Sequence, residues 1–105
     1  MNYKQYDIIL VNLDPTIGAE TNKTRPCIIL SPNEMNRHLK TLIIAPMTST
    51  NKSYPTRVKV NDKSFIMLDQ IKTIDKRRAL KRLDRLNKEI IGKIKNIIQE
   101  MLVDE

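Results

Sequence analysis

Residues 57–68, RVKVNDKSFIML, read as two short strands folded back on each other. Arg57, Val58, Lys59 and Val60 alternate charged and apolar, the period of a strand with one wet face, and Asn61-Asp62 supplies a tight turn. Phe65, Ile66, Met67 and Leu68 form a second β-prone run, so the pair is expected as an antiparallel hairpin.

Working back toward the N-terminus, residues 42–46 and 26–31 are further apolar runs and read as strands. Residues 7–13 hold Ile8, Ile9, Leu10 and Val11, a first strand that Asp14-Pro15-Thr16 ends, because proline removes a ladder donor and fixes its own φ. Residues 16–24 are polar and carry Gly18, one of two glycines, as an exposed, mobile loop would. Residues 33–40 are also polar, and the single histidine, His38, is expected there as a solvated loop residue.

Beyond the hairpin the period changes. Ile90, Ile91, Ile94, Ile97, Ile98, Met101 and Leu102 recur every three or four residues, one stripe along a helix with Asn87 as its N-cap. Lys88, Lys93 and Lys95 lie off the stripe, which predicts a helix packed on the sheet with a basic, solvated face. Gly92 costs such a helix about 1 kcal/mol relative to alanine and so predicts close packing at that point. Residues 75–78 read as a capped turn. Leu80, Leu83 and Leu86 fit a helix, whereas residues 79–83 also fit a short strand, and turn followed by strand is the preferred reading. The fold class is mainly β, a compact β-unit with a C-terminal amphipathic helix. With 105 residues and no repeat, low-complexity tract or linker, one domain is expected.

Hydrophobic residues make up 40% and aromatics 4%, with no tryptophan, so Ile, Leu and Val must fill the core. Cys27 is the only cysteine. It permits no internal disulfide, and beside Ile28, Ile29 and Leu30 it is expected as a buried, inert thiol in a reducing compartment. Neither a cleavable leader nor an apolar run long enough to cross a bilayer is present, so a cytoplasmic protein without a membrane partner is expected. The net charge of +7 draws in a polyanion or an acidic protein without choosing between them.

One histidine and one cysteine cannot make a zinc set, and no phosphate-binding G-x-x-x-x-G-K-[ST] or G-x-S-x-G motif occurs. An enzyme built from this chain works by placing charge. Arg25 stands where the polar loop meets a strand, in Thr24-Arg25-Pro26, and its rigid fork of donors fits phosphate oxygens.

Four segments carry a family resemblance: Asn12-Leu13-Asp14-Pro15-Thr16-Ile17-Gly18-Ala19-Glu20, Thr24-Arg25-Pro26, Ala45-Pro46-Met47-Thr48-Ser49 and Leu68-Asp69-Gln70-Ile71-Lys72-Thr73-Ile74-Asp75. In this order they resemble the MazF/PemK (Kid) family of toxin endoribonucleases over nearly the full chain. The resemblance implies an SH3-like small β-barrel with a C-terminal helix and a homodimer. It implies cleavage of single-stranded RNA at short sequence motifs without metal or cofactor, and neutralisation by an acidic antitoxin. DNA would be met only through the toxin–antitoxin complex.

Residue by residue, Arg25 matches the family's catalytic arginine and Thr48 its catalytic hydroxyl. Glu20 and Gln70 match positions linked to catalysis and RNA contact, and Asp69 an acidic position used in some members; Thr24 and Ser49 join Gln70 and Asp69 as expected RNA contacts. Kid-like members place a histidine and an arginine where this chain has Ala19 and Met67, so the arginine–threonine site is the closer model. Glu20 is the candidate proton acceptor, with a plain RNA contact as the alternative. Arg77, Arg78, Lys81, Arg82 and Arg85 are read as a basic face able to line an RNA path.

Two other functions suit the same barrel. One is a non-catalytic toxin that acts on a protein such as gyrase, because fold does not fix function. The other is an RNA-binding module without cleavage, for which Tyr3, Tyr6, Tyr54 and Phe65 are few and scattered as stacking platforms.

Overall fold

The structure, a computed structural model, describes residues 2–13 and 24–103. Its strands are β1 (Asp7–Asn12), β2 (Thr24–Ile29), β3 (Thr41–Thr48), β4 (Arg57–Asn61), β5 (Ser64–Met67), β6 (Lys72–Asp75) and β7 (Ala79–Arg85). The helices are α1 (Asn33–His38) and α2 (Lys88–Ile98). All pairings are antiparallel, in the order β4-β5-β3-β2-β1-β7, with β6 also on β3. The sheet stays open, with β4 and β7 at its ends, and its small barrel-like form with a C-terminal helix is the architecture the sequence implies.

Strand β3 joins the two halves. Its first half pairs with β6 from Thr41↔Asp75 to Ile44↔Lys72, and its last two residues pair with β5 at Met47↔Ile66 and Thr48↔Phe65. The 3-10 turn Leu68–Gln70 carries the chain from β5 to β6 along this edge, which sets Lys72 beside Ile44 in the middle of β3. Side chains alternate across the sheet, so each face has its own core. Ile28, Ala45, Met47, Val58, Ile66 and Leu68 meet Ile90 and Ile94 of α2 on one face. Ile9, Val11, Cys27, Ile29, Leu42, Ile44 and Ile74 pack on the other.

Asn87 caps α2 as expected, its Oδ1 accepting from the Ile90 amide at 2.9 Å. The apolar stripe ends sooner than its spacing implies: after Ile98 the helix widens into the π-helical segment Gln99–Val103, where Met101 and Leu102 are exposed. Gly92 corrects another expectation, since a Cβ there would meet nothing within 4 Å. It lies two residues from both Ile90 and Ile94, about 200° around the helix from each, and so turns away from the sheet.

Residues 76–85 resolve as turn then strand. Asp75 caps the 3-10 turn Lys76–Arg78 by accepting from the Arg77 amide at 2.8 Å, and β7 follows. Two elements have no counterpart in the sequence reading. Strand β6 is one, and α1 is the other, so His38 sits on a short helix, where it faces Glu34 at 3.1 Å in solvent. The helix is held by a polar lock: buried Asn36 donates to the Ser31 carbonyl at 2.9 Å, and the Ser31 hydroxyl donates to Asn36 Oδ1 at 2.5 Å.

Cys27 is fully buried and free, as expected. Burial pushes its thiol up to about 12, against a smaller opposing pull from Lys72 and Arg25. The thiolate is the reactive form. At pH 8 the folded protein should therefore leave an aromatic disulfide reagent unreacted, and release one equivalent of chromophore only when denaturant is added.

Candidate active site

The β2–β3 ladder pairs Cys27↔Pro46, Ile28↔Ala45 and Ile29↔Ile44, and goes no further. Pro26 and Pro46 lack an amide hydrogen, which removes donors where the two strands part. Continued two positions past Cys27↔Pro46, that register points Arg25 toward Thr48, and both line the same two clefts. Both project on the face of Cys27, Ile29 and Ile44, at the rim where that apolar core gives way to solvent.

Arg25 and Thr48 line a cleft of about 600 Å³, walled also by Lys52, Arg57, Gln70 and Lys72 over an apolar floor that includes Leu13, Pro46 and Met67. The described wall thus carries four cations and no carboxylate or imidazole. A smaller cleft of about 380 Å³ shares Arg25, Thr48 and Thr50 and adds Ser49 and Lys63. Arg25 is exposed, and among the described residues its guanidinium has no carboxylate partner. A cationic concavity with low-dielectric walls concentrates anions.

The Thr48 hydroxyl accepts from the Thr50 amide at 3.2 Å. That bond satisfies a strand-end backbone group and uses only a lone pair, so the hydroxyl proton is left to donate to a ligand. Gln70 reaches the larger cleft and Ser49 the smaller, whereas Thr24 begins β2, exposed, on neither wall. Asp69 also lies off both walls. It accepts from Thr56 Oγ1 at 3.1 Å and stands 3.5 Å from Arg57 Nε. Glu20 falls outside the described residues.

Arg57 corrects the reading of residues 57–60 as a strand with a uniformly wet charged face. Its side chain is only 9% exposed, whereas Lys59 is open to solvent. Its Nε is buried and makes no hydrogen bond, with Asp69 at ion-pair distance only. An unmet buried donor costs on the order of 1–3 kcal/mol.

The expected basic face is largely engaged elsewhere. Asp7, 1% exposed, receives Arg82 Nε at 3.3 Å and Arg85 Nη1 at 3.4 Å, tying β1 to β7. Arg77 holds Asp75 in a two-pronged pair at 3.2 and 3.0 Å, which keeps the Asp75 carboxyl well below the usual range, at about 2. Arg78 donates to the Asn12 carbonyl at 3.3 Å. None of them lines either cleft. Among the described residues no three His, Cys, Asp or Glu side chains converge as metal ligands.

Over residues 4–102 the chain matches the model of a family described as the PemK-like, MazF-like toxin of type II toxin–antitoxin system. The chain belongs to that family. Endoribonuclease EndoA of Bacillus subtilis (strain 168) is 31% identical over 108 residues, covering 94% of this chain and 93% of the relative. A chain of the Form-III MazE–MazF crystal structure from Deinococcus radiodurans shares the fold with a TM-score of 0.84 at 21% identity, covering 97% of each chain. An endoribonuclease from a mycobacterial species, solved in complex with its cognate antitoxin, gives 0.82 at 20% identity, covering 95% and 94%.

In this member of the PemK-like, MazF-like family, the motif-bearing Arg25, Thr48 and Gln70 come together on one cleft. Lys52, Arg57 and Lys72 join them without having been singled out in the sequence. The only signal for Arg57 was its place on the hairpin, where Arg57↔Met67 sets it on the face that carries Thr48.

Proposed function

We propose that this toxin is a sequence-specific endoribonuclease that cuts single-stranded RNA, messenger RNA included, and so arrests translation and growth in the cytoplasm. One observation carries the reading: Arg25 and Thr48 line the same two clefts, the larger of which has four cations on its described wall. The 2′-oxygen attacks the adjacent phosphorus and the bond to the 5′-oxygen breaks, leaving a 2′,3′-cyclic phosphate and a 5′-hydroxyl. Arg25 stabilises charge on the phosphorane, and Thr48 donates a hydrogen bond to a phosphate oxygen or orients the nucleophile.

Neither is a base, since arginine stays protonated and a threonine hydroxyl hardly ionises. Glu20 takes the proton from the 2′-hydroxyl in this scheme, and solvent water supplies the proton that the departing 5′-oxygen takes up. Gln70 and Ser49 contact RNA from the two clefts. Thr24 does so from the start of β2, and Asp69 contributes from behind the wall.

The test is incubation of the purified chain with defined single-stranded RNAs, with and without EDTA, followed by mapping of both fragment ends. Cyclic-phosphate and 5′-hydroxyl ends at recurring sequences, unchanged by EDTA, are expected. Loss of cutting in EDTA would overturn the metal-free scheme, and intact RNA in every condition would overturn the enzyme reading.

The cationic cleft also suits an acidic antitoxin segment, which would occlude RNA by taking its place. The toxin acts as a homodimer in this reading and meets DNA only through the antitoxin complex. A stable monomer in sedimentation at micromolar concentration would reject the dimer.

A further inference from the structure

Arg57 is built into the cleft wall in a way the other three cations are not. Arg25, Lys52 and Lys72 are exposed, whereas the Arg57 side chain is nine-tenths buried with an unmet donor. Its backbone is clamped from both sides: the Arg57 amide donates to the Tyr54 carbonyl at 3.0 Å, and the Leu68 amide to the Thr56 carbonyl at 3.1 Å. Asp69 balances the charge from 3.5 Å, and its own position is fixed by the Thr56 hydroxyl. The Tyr54 ring covers the guanidinium, with Cζ 5.2 Å from the ring centroid. A fork immobilised in this way loses little freedom when it takes a ligand.

We propose that Arg57 is a second phosphate-binding residue, gripping an RNA phosphate next to the one being cut. The inference deepens the RNA-cleaving reading and rests on it. Strand spacing supports a separate subsite. Arg57 on β4 is two strand spacings, roughly 10 Å, from β3, and β2 with Arg25 is about 5 Å further. The two arginines therefore rise from separate strands along one cleft, an arrangement that spans successive phosphates rather than crowding one. Phosphate fits the fork because its oxygens can take two parallel N–H bonds from the part of the guanidinium that lines the cleft.

The experiment uses an RNA with a single 2′-deoxy substitution at the mapped cut position, which binds without being cleaved. Its affinity is measured by fluorescence anisotropy over a range of salt for the parent, Arg57→Gln and Arg57→Lys, alongside cleavage kinetics on the natural RNA. Arg57→Gln should weaken binding about 10-fold or more and raise KM to match, with kcat within about 3-fold of the parent. It should also flatten the logarithmic salt dependence by about 0.7, the share of one phosphate contact on a single strand. Arg57→Lys should keep the salt slope but regain only part of the affinity, because an ammonium lacks the fork.

Parent-like affinity and salt slope in a folded Arg57→Gln protein would overturn the proposal, as would a loss confined to kcat. Weakened binding of an acidic antitoxin peptide with unchanged RNA affinity would also overturn it, giving the residue to the protein partner. Should the glutamine variant melt below the assay temperature, the lysine variant decides: unchanged affinity overturns the proposal, and a several-fold loss with the slope intact supports it. A parent that cuts RNA while both variants match it removes this inference alone. A parent that cuts nothing removes the reading beneath it.

Discussion

Arg25→Ala should fold like the parent and cut RNA on the order of 10²–10³-fold more slowly, the usual cost of removing one preorganised donor from a developing oxyanion. Folding should survive because the side chain is exposed and, among the described residues, engages no carboxylate. The β2 backbone, with Val11↔Arg25 and Cys27↔Pro46, does not depend on it. The loss should appear mainly in kcat, since Lys52, Arg57 and Lys72 still attract the RNA. Single-turnover cleavage at saturating RNA, with a thermal melt as control, measures this. Thr48→Val in the same background gives a sharper test. Two groups acting on one phosphate are non-additive, so the double variant should lose much less than the product of the single losses. A fully active, folded Arg25→Ala protein would remove Arg25 from the reaction.

The strands that the sequence shows well are those bounded by turn chemistry. The 57–68 hairpin and the runs before Pro15 and after Thr24 appear where expected, and Asn87 starts α2. Strand β7 was ambiguous for a visible reason. Its pairing with β1 skips Leu83 between Ile8↔Asp84 and Ile9↔Arg82, and skips Leu80 between Leu10↔Lys81 and Val11↔Ala79. Two bulges thus set the exposed leucines three apart, a helical spacing within a strand. Helix α1 escaped because a Ser31–Asn36 polar lock leaves no hydrophobic period, and β6 because only Ile74 of its four residues is buried.

The site divides along the same line. Arg25 and Thr48 were legible because local motifs carry them. Arg57 was not, because its membership in the cleft depends on register across β5, a non-local fact that alternation alone turned into a wet face. Asp69 was found by motif, yet its geometry gives it a task no motif states, that of holding Arg57 in place.

Ile94→Ala should destabilise the protein by about 2–5 kcal/mol, a large part of the roughly 5–15 kcal/mol available to a domain of this size. Ile94 is 0% exposed and packs in the cluster shared by α2 and the inner residues of β2, β3, β4 and β5. Truncation there leaves a cavity that the sheet is poorly placed to close, because its other face is filled by the second cluster. Gly92→Ala should act in the opposite sense, adding up to about 1 kcal/mol, since the new methyl meets open space and the helix gains propensity. Urea titration of both variants reads the two shifts in midpoint. Neither should alter kcat at a temperature where the protein is fully folded, because Ile94 and Gly92 act through α2 on the face opposite Arg25 and Thr48. A change in kcat in folded Ile94→Ala would mean that the helix helps to set the cleft, and that the two faces of the sheet are mechanically coupled through β3.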